Sequence, residues 1–164
     1  MEPTSAPVDS NAGPASDFDK GALPMSPVKR LAILACMDAR VDPARILGLN
    51  EGDAHVIRNA GGVATDDAIR SLVISQRMLG TEEIVLIHHT DCGQERFRDN
   101  DLKEQIFAET GIRPGFDLEA FPDAVDDVHR TAARITASPF VPHKSIRGFI
   151  YDVHTGRLDE VVLA

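Results

Sequence analysis

In the stretch RLAILAC (residues 30–36), the charged Arg30 precedes a short, continuous apolar run, and the more polar residues MDAR (37–40) follow it directly. An uninterrupted run of this length is typical of a strand that is buried on both faces, as strands of parallel sheets are. Further strand segments follow at 54–60 and 82–90, and a helical pattern lies between them at 65–80. This alternation predicts an α/β fold with a parallel β-sheet and right-handed crossovers.

Capping residues indicate where the helices begin and end. Asp42 and Pro43 predict the start of a short helix over 41–49, and Thr65 predicts the start of the helix over 65–80. Gly80 is suited to end that second helix. Two more helices are expected at about 101–110 and about 122–137, and the last residues predict two strands joined by a turn at 155–156.

The charge balance excludes some classes of partner. The 164 residues include 26 acidic and 17 basic side chains, which give a formal net charge of −9 at pH 7. No run of basic residues is present, so a nucleic-acid partner is not expected. An acidic surface also disfavours binding to anionic membranes, and we expect no membrane partner.

The first residues have a different composition from the rest. Residues 1–28 are rich in Pro, Ser, Ala, Gly and Asp, which predicts a flexible arm, and residues 29–164 are expected to form a single domain. The arm lacks the basic and apolar regions of a signal peptide, and no apolar stretch approaches the roughly 20 residues that span a bilayer. The expected location is therefore cytoplasmic, where two cysteines rarely form a structural disulfide.

Both cysteines lie at or just after the predicted carboxyl end of a strand. Cys36 ends a predicted strand, and His89 and Cys92 lie at the end of another, separated from each other by two residues in a tight turn. Functional residues of parallel sheets gather at the carboxyl ends of strands. Two thiolates and one imidazole are a natural ligand set for zinc, and three protein ligands leave the fourth tetrahedral position open. We expect one Zn²⁺ per chain.

Asp38 and Arg40 are the polar residues nearest to Cys36. If the strand continues past Cys36, the side chains at 36, 38 and 40 point to the same side. Asp38 would then either fill the fourth position on zinc or accept a hydrogen bond from zinc-bound water, and Arg40 would pair with Asp38 and hold it away from the metal. His88 points to the other face of its strand and is expected to be a hydrogen-bonded structural residue.

Three motifs resemble those of the β-class carbonic anhydrases. They are CMDAR (36–40), RNAGG (58–62) and HTDCG (89–93), and their order and spacing match as well. The chain is most similar to the short, actinobacterial-type subgroup, in which CMDAR is followed by VIRNAGG and HHTDCG. The resemblance covers residues 28–164. It implies that Cys36, His89 and Cys92 bind zinc and that Asp38 and Arg40 form a catalytic, orienting dyad.

The resemblance also implies a reaction and an assembly. The reaction is the reversible hydration of carbon dioxide to bicarbonate by zinc-bound hydroxide. The implied fold has about four parallel core strands plus an edge strand. The implied oligomer is a homodimer, or a larger oligomer built from dimers, in which the arm at 1–28 embraces the partner. Candidate substrate-binding residues are those of the turn after the second strand: Asn59, Ala60, Gly61 and Gly62.

Two other functions fit the same motifs. Close relatives of this subgroup include hydrolases of carbonyl sulfide and carbon disulfide, which share the zinc residues and differ in the pocket. A non-catalytic zinc protein is the third possibility, with its site closed by both cysteines, His89 and Asp38.

Overall fold

The computed structural model describes residues 7–8 and 10–163 of the chain. Five strands form one sheet: β1 (Leu31–Cys36), β2 (Ala54–Asn59), β3 (Glu83–His89), β4 (Ser145–Tyr151) and β5 (Leu158–Val161). The strand order is β2-β1-β3-β4-β5. The first four strands are mutually parallel, and β5 runs antiparallel to β4 at the edge. The expected α/β class, with four parallel strands and one edge strand, is confirmed.

Five helices accompany the sheet among the described residues: α1 (Ala12–Ser16), α2 (Pro43–Leu47), α3 (Asp66–Arg77), α4 (Asp99–Thr110) and α5 (Ala124–Ala137). The predicted caps are confirmed, because the Asp42 side chain accepts from the Arg45 amide at 3.3 Å and the Thr65 hydroxyl accepts from the Ala68 amide at 3.2 Å. Two short 3-10 turns, Ala60–Gly62 and Gly93–Arg96, follow β2 and β3 closely. Helix α1 was not predicted, and α3 ends at Arg77 instead of continuing to Gly80.

Strand β1 lies at the centre of the molecule, between two layers of apolar side chains. Ala32 and Leu34 face α3 and α5, where Leu72 and Val128 are fully buried. The alternate residues of β1 face the other layer, which includes Val41, Val85 and Phe149. Both faces of β1 are therefore covered, which is the reason for its continuous apolar sequence.

The later part of the arm lies against the turn that precedes β2. Lys20 and Glu51 form an ion pair at 2.5 Å, and the Val28 amide donates to the Gly52 carbonyl at 2.9 Å. The Leu23 side chain lies over Gly52. Residues 1–6 and 9 of the expected arm lie outside the described residues, and the boundary at residue 28 stays a prediction.

No helix in the described part of the chain is both long and apolar enough to cross a membrane. The expected cytoplasmic location stays a prediction.

Candidate metal centre

The three predicted ligands converge at the carboxyl edge of the sheet. Cys36 is the last residue of β1, His89 is the last residue of β3, and Cys92 follows three residues later. Because β1 and β3 are adjacent parallel strands, their carboxyl ends meet. The ligand atoms of all three residues lie within 4.8 Å of one another, and the two sulfur atoms are 4.0 Å apart. All three residues are buried.

The hydrogen bonding of His89 suits it to bind a metal. Its Nδ1 lies 2.9 Å from the Thr90 carbonyl oxygen, which can only accept, so Nδ1 carries the proton. The Nε2 atom is therefore left with a free lone pair. Within the described part of the chain this buried atom has no hydrogen-bond partner. A buried nitrogen of this kind, facing two sulfurs, fits a zinc ion, and the Thr90 carbonyl fixes the required tautomer.

The two sulfurs influence each other's pKa, because they lie 4.0 Å apart. A hydrogen bond from the Cys92 thiol lowers the pKa of Cys36 to about 4, and the same contact raises the pKa of Cys92. Backbone amides of Asp38 and Gly61 also donate toward Cys36 and favour its thiolate. These contacts favour the thiolate of Cys36, and thiolate is the form that binds metal.

Asp38 is held by Arg40. The guanidinium donates from Nε to Asp38 Oδ1 at 2.9 Å and from Nη2 to Asp38 Oδ2 at 2.8 Å, and the Arg40 amide adds a third bond at 2.9 Å. These bonds hold the pKa of the Asp38 carboxyl well below its usual range. Oδ2 of Asp38 is 3.8 Å from His89 Nε2, so the carboxylate lies beside the ligand cluster.

Asp38 and Arg40 do not come together by the predicted alternation along a strand. Strand β1 ends at Cys36, and residues 39–40 form a turn. The turn is closed by the Val41 amide, which donates to the Asp38 carbonyl at 2.9 Å. Asp38 and Arg40 therefore meet through the turn and not through alternation along a strand.

Arg58 binds the backbone at the point where the chain leaves the sheet, a role that its sequence context did not indicate. Its guanidinium donates from Nε and Nη2 to the Cys36 carbonyl at 3.1 and 2.9 Å, and from Nη2 to the Asp38 carbonyl at 2.8 Å. These carbonyls are therefore satisfied by a side chain of β2. The only signal in the sequence was the position of Arg58 within the RNAGG motif.

The turn Asn59–Gly62 lies against the end of β1. The Asn59 side chain is bonded to Val63, accepting from its amide at 2.9 Å and donating to its carbonyl at 2.8 Å. Gly62 has φ of 73°, and a Cβ there would lie 2.9 Å from the Cys36 backbone nitrogen. Only glycine permits this close approach. Substrate binding by Asn59, Ala60, Gly61 and Gly62 stays a prediction.

Asp91 and His88 flank the ligands on two sides. Asp91, another residue to which the sequence reasoning gave no role, accepts from Arg40 Nη1 at 2.9 Å and also pairs with Arg96. His88 faces away from the cluster, as predicted, and its Nε2 bonds to the buried Asp127 carboxylate at 2.7 Å. His88 is thus a structural residue that ties β3 to α5.

Comparison with known proteins agrees with the motifs. The family model described as carbonic anhydrase matches residues 31–137. Beta-carbonic anhydrase 1 of Mycobacterium tuberculosis is 60% identical over 152 residues, which cover 92% of this chain and 93% of that protein. The carbon disulfide hydrolase of Saccharolobus solfataricus is 35% identical over 156 residues, covering 79% of this chain and 76% of that protein.

A solved structure supports the same assignment. The crystal structure of carbonic anhydrase from Streptococcus mutans has a TM-score of 0.92 and 42% sequence identity, and the match covers 99% of each chain. The family model spans more than half of this chain, and the similarity to relatives and to the solved fold extends over nearly all of it. The chain therefore belongs to the β class of the carbonic anhydrase family, a family of lyases, as its motifs predict.

Proposed function

We propose that this protein is a zinc enzyme that catalyses the reversible hydration of carbon dioxide to bicarbonate. The observation that carries the proposal is the cluster of Cys36, His89 and Cys92, whose three ligand atoms lie within 4.8 Å of one another. The family membership and the mycobacterial relative named as a beta-carbonic anhydrase support the reaction.

Zinc fits the donors that the cluster offers. Cys36, His89 and Cys92 would hold the ion, since two sulfurs and an unprotonated imidazole nitrogen are ligands that zinc accepts in proteins. When bound, the ion supplies Lewis acidity, which makes hydroxide available from water near neutral pH. Three protein ligands leave one tetrahedral position open, provided that Asp38 does not take it.

Asp38 and Arg40 determine whether that position stays open. Both carboxylate oxygens of Asp38 accept from the Arg40 fork, and this bidentate pair opposes movement of Asp38 toward the ligands. The ionised carboxylate retains further lone pairs, with which it would accept a hydrogen bond from the attacking hydroxyl and orient it. A closed, non-catalytic zinc site requires Asp38 to leave Arg40, so the observed pairing favours the enzyme.

The glycine turn provides space for a small substrate. Gly61 and Gly62 are buried next to the cluster and carry no side chain. We propose that the residues Asn59–Gly62 form one wall of the carbon dioxide site through their backbone, while the Asn59 amide keeps the turn closed on Val63.

The reaction is tested by stopped-flow hydration of carbon dioxide with a pH indicator on zinc-loaded protein. We expect catalysis that rises linearly with enzyme concentration and disappears when a chelator removes the zinc. A rate equal to that of the buffer alone, in protein shown to contain one zinc per chain, would contradict the proposal.

Hydrolysis of carbon disulfide or carbonyl sulfide is the second candidate. The observation in its favour is the 35% identity to the carbon disulfide hydrolase of Saccharolobus solfataricus. Headspace assays for released hydrogen sulfide, run on the same zinc-loaded protein, compare the two reactions. We expect a higher kcat/KM on carbon dioxide, and the reverse order would make the sulfur compound the proposed substrate.

The assembly that we propose is a homodimer in which the arm at 1–28 packs on the partner. Five large apolar side chains of the arm are exposed: Val8, Phe18, Leu23, Met25 and Val28. Apolar side chains grouped on one short segment favour burial against another surface. A second copy of the chain is the occupant that we propose.

Light scattering coupled to gel filtration is expected to give twice the chain mass. Deletion of residues 1–19, which keeps the Lys20–Glu51 ion pair, should raise the dimer dissociation constant by at least about tenfold, or about 1.4 kcal/mol. A monomeric full-length chain would contradict the dimer, and an unchanged dissociation constant would contradict the role of the arm.

A further inference from the structure

We infer that Asp91 is a positioning residue, which anchors Arg40 from the side opposite Asp38 and thereby keeps the Asp38 carboxylate turned away from the metal ligands. The inference rests on the proposed function, because the position that Asp38 would otherwise close is the one at which the reaction takes place. Asp91 does not touch the ligand atoms in this role and acts only through Arg40.

The Arg40 guanidinium donates hydrogen bonds to residues of two different loops. Nε and Nη2 donate to the Asp38 carboxylate, whereas Nη1 donates to Asp91 Oδ2 at 2.9 Å. Nη2 also donates to the Asp91 backbone carbonyl at 3.0 Å. Arg40 therefore links the turn after β1 to the loop after β3, with donors used on both sides of its planar fork.

A second anchor supplements the bidentate pair with Asp38. The Arg40 side chain is 44% exposed and the Asp38 side chain 19%, so solvent partly screens that pair, and a further partner limits the movement of the guanidinium. Asp38 Oδ2 is 3.8 Å from His89 Nε2, so rotation of this carboxylate would bring an oxygen among the ligand atoms. A freely moving Arg40 would permit that rotation, and an Arg40 held at both ends opposes it.

The backbone of Asp91 places its anchoring groups for this contact. Its φ is 55°, a left-handed conformation that is uncommon outside glycine but is tolerated best by Asn and Asp. In this conformation the side chain and the carbonyl of the same residue both face Arg40. Arg96 pairs with the other carboxylate oxygen, Oδ1, whereas Oδ2 accepts from Arg40. Both oxygens of Asp91 are thus engaged by arginines and not by the ligand cluster.

The test compares Asp91→Ala and Asp91→Asn with the wild type in protein loaded with Co²⁺ in place of zinc. The probe is iodide, whose binding at an open position changes the visible spectrum of Co²⁺. We expect Asp91→Ala to retain one metal per chain but to bind iodide about tenfold more weakly, because Asp38 competes for the position. Its kcat/KM on carbon dioxide should fall by a similar factor in the zinc form. Asp91→Asn keeps an acceptor oxygen for Arg40 and should be intermediate in both measurements.

Arg96→Ala is the matched control, since it removes the other guanidinium on Asp91 and leaves Arg40 in place. We expect its iodide affinity to stay within about twofold of the wild type. Wild-type iodide affinity in metal-loaded Asp91→Ala would overturn the inference, as would loss of the metal from both Asp91 variants. An equal loss in Arg96→Ala would show that Asp91 acts through Arg96. If carbon dioxide hydration is absent but the variants differ in iodide affinity, the proposed function fails while the positioning role stands.

Discussion

Replacement of Cys36 by serine is expected to abolish both zinc binding and carbon dioxide hydration. The Cys36 sulfur is one of three ligand atoms and the one whose thiolate the protein already favours, with a pKa lowered to about 4 by the Cys92 thiol. A serine hydroxyl is not ionised at neutral pH and is a poor substitute. We expect less than about one tenth of the zinc to remain per chain, and a fall in kcat/KM of at least about 1,000-fold, because hydroxide near neutral pH depends on the metal.

Metal analysis and stopped-flow assay of the same preparation measure both effects. Cys92→Ser should behave alike, since its sulfur is 4.0 Å from that of Cys36. Ser75→Ala is a suitable control: Ser75 is equally buried, but it bonds to His55 near the amino end of β2, at the opposite end of the sheet. A Cys36→Ser protein with one zinc per chain and wild-type activity would refute the ligand assignment.

Replacement of Arg40 by alanine is expected to lower the activity strongly while leaving the zinc content nearly unchanged. The variant keeps Cys36, His89 and Cys92, so it should bind close to one zinc per chain. It loses the two bonds that hold the Asp38 carboxylate, which would then turn toward the metal and close the open position. We expect kcat/KM on carbon dioxide to fall about 100-fold, in the range measured for residues that orient metal ligands.

Two further variants test whether the effect depends on the planar fork of Arg40 and not only on the loss of an arginine ion pair. Arg40→Lys keeps the positive charge without the planar fork and should recover only part of the activity. Arg147→Ala is the matched control, because Arg147 forms a similar bidentate pair with Glu160, at 2.8 and 2.9 Å, between β4 and β5. Equal losses of zinc and activity in Arg40→Ala would refute the proposed role. If Asp38 ligates zinc in the wild type at every pH tested by X-ray absorption, the enzyme proposal itself fails.

The central strands were predictable because their signal is local. LAILAC (31–36) is continuously apolar since both faces of β1 are covered, and a run of this length is typical of such a strand. The starts of α2 and α3 were predictable for the same reason, because Asp42 and Thr65 satisfy amides only three residues away. Helix α1 has no side-chain cap bond, and its described side chains are exposed, so it leaves no comparable pattern.

The cluster of candidate ligands was also predictable, but its surroundings were not. A thiol at the end of one strand and an H-x-x-C turn at the end of another are brought together by any parallel sheet in which the two strands are neighbours. Arg58, Asp91 and Arg96 are ordinary charged residues in the sequence. Each could pair with several acids or carbonyls, and nothing in their spacing indicates which partner is chosen.

The sequence by itself therefore determined the fold class and the atoms that would bind a metal, because apolar periodicity and donor chemistry depend on residue type and on nearby positions. Only the tertiary structure decided which way Asp38 faces. That choice depends on Arg40 together with Arg58, which is 20 residues from Asp38, and Asp91, which is 51 residues from Arg40. Hydrogen bonds between loops so far apart are set by the geometry of the folded sheet, since the direction of each donor is fixed only when the strands are in place.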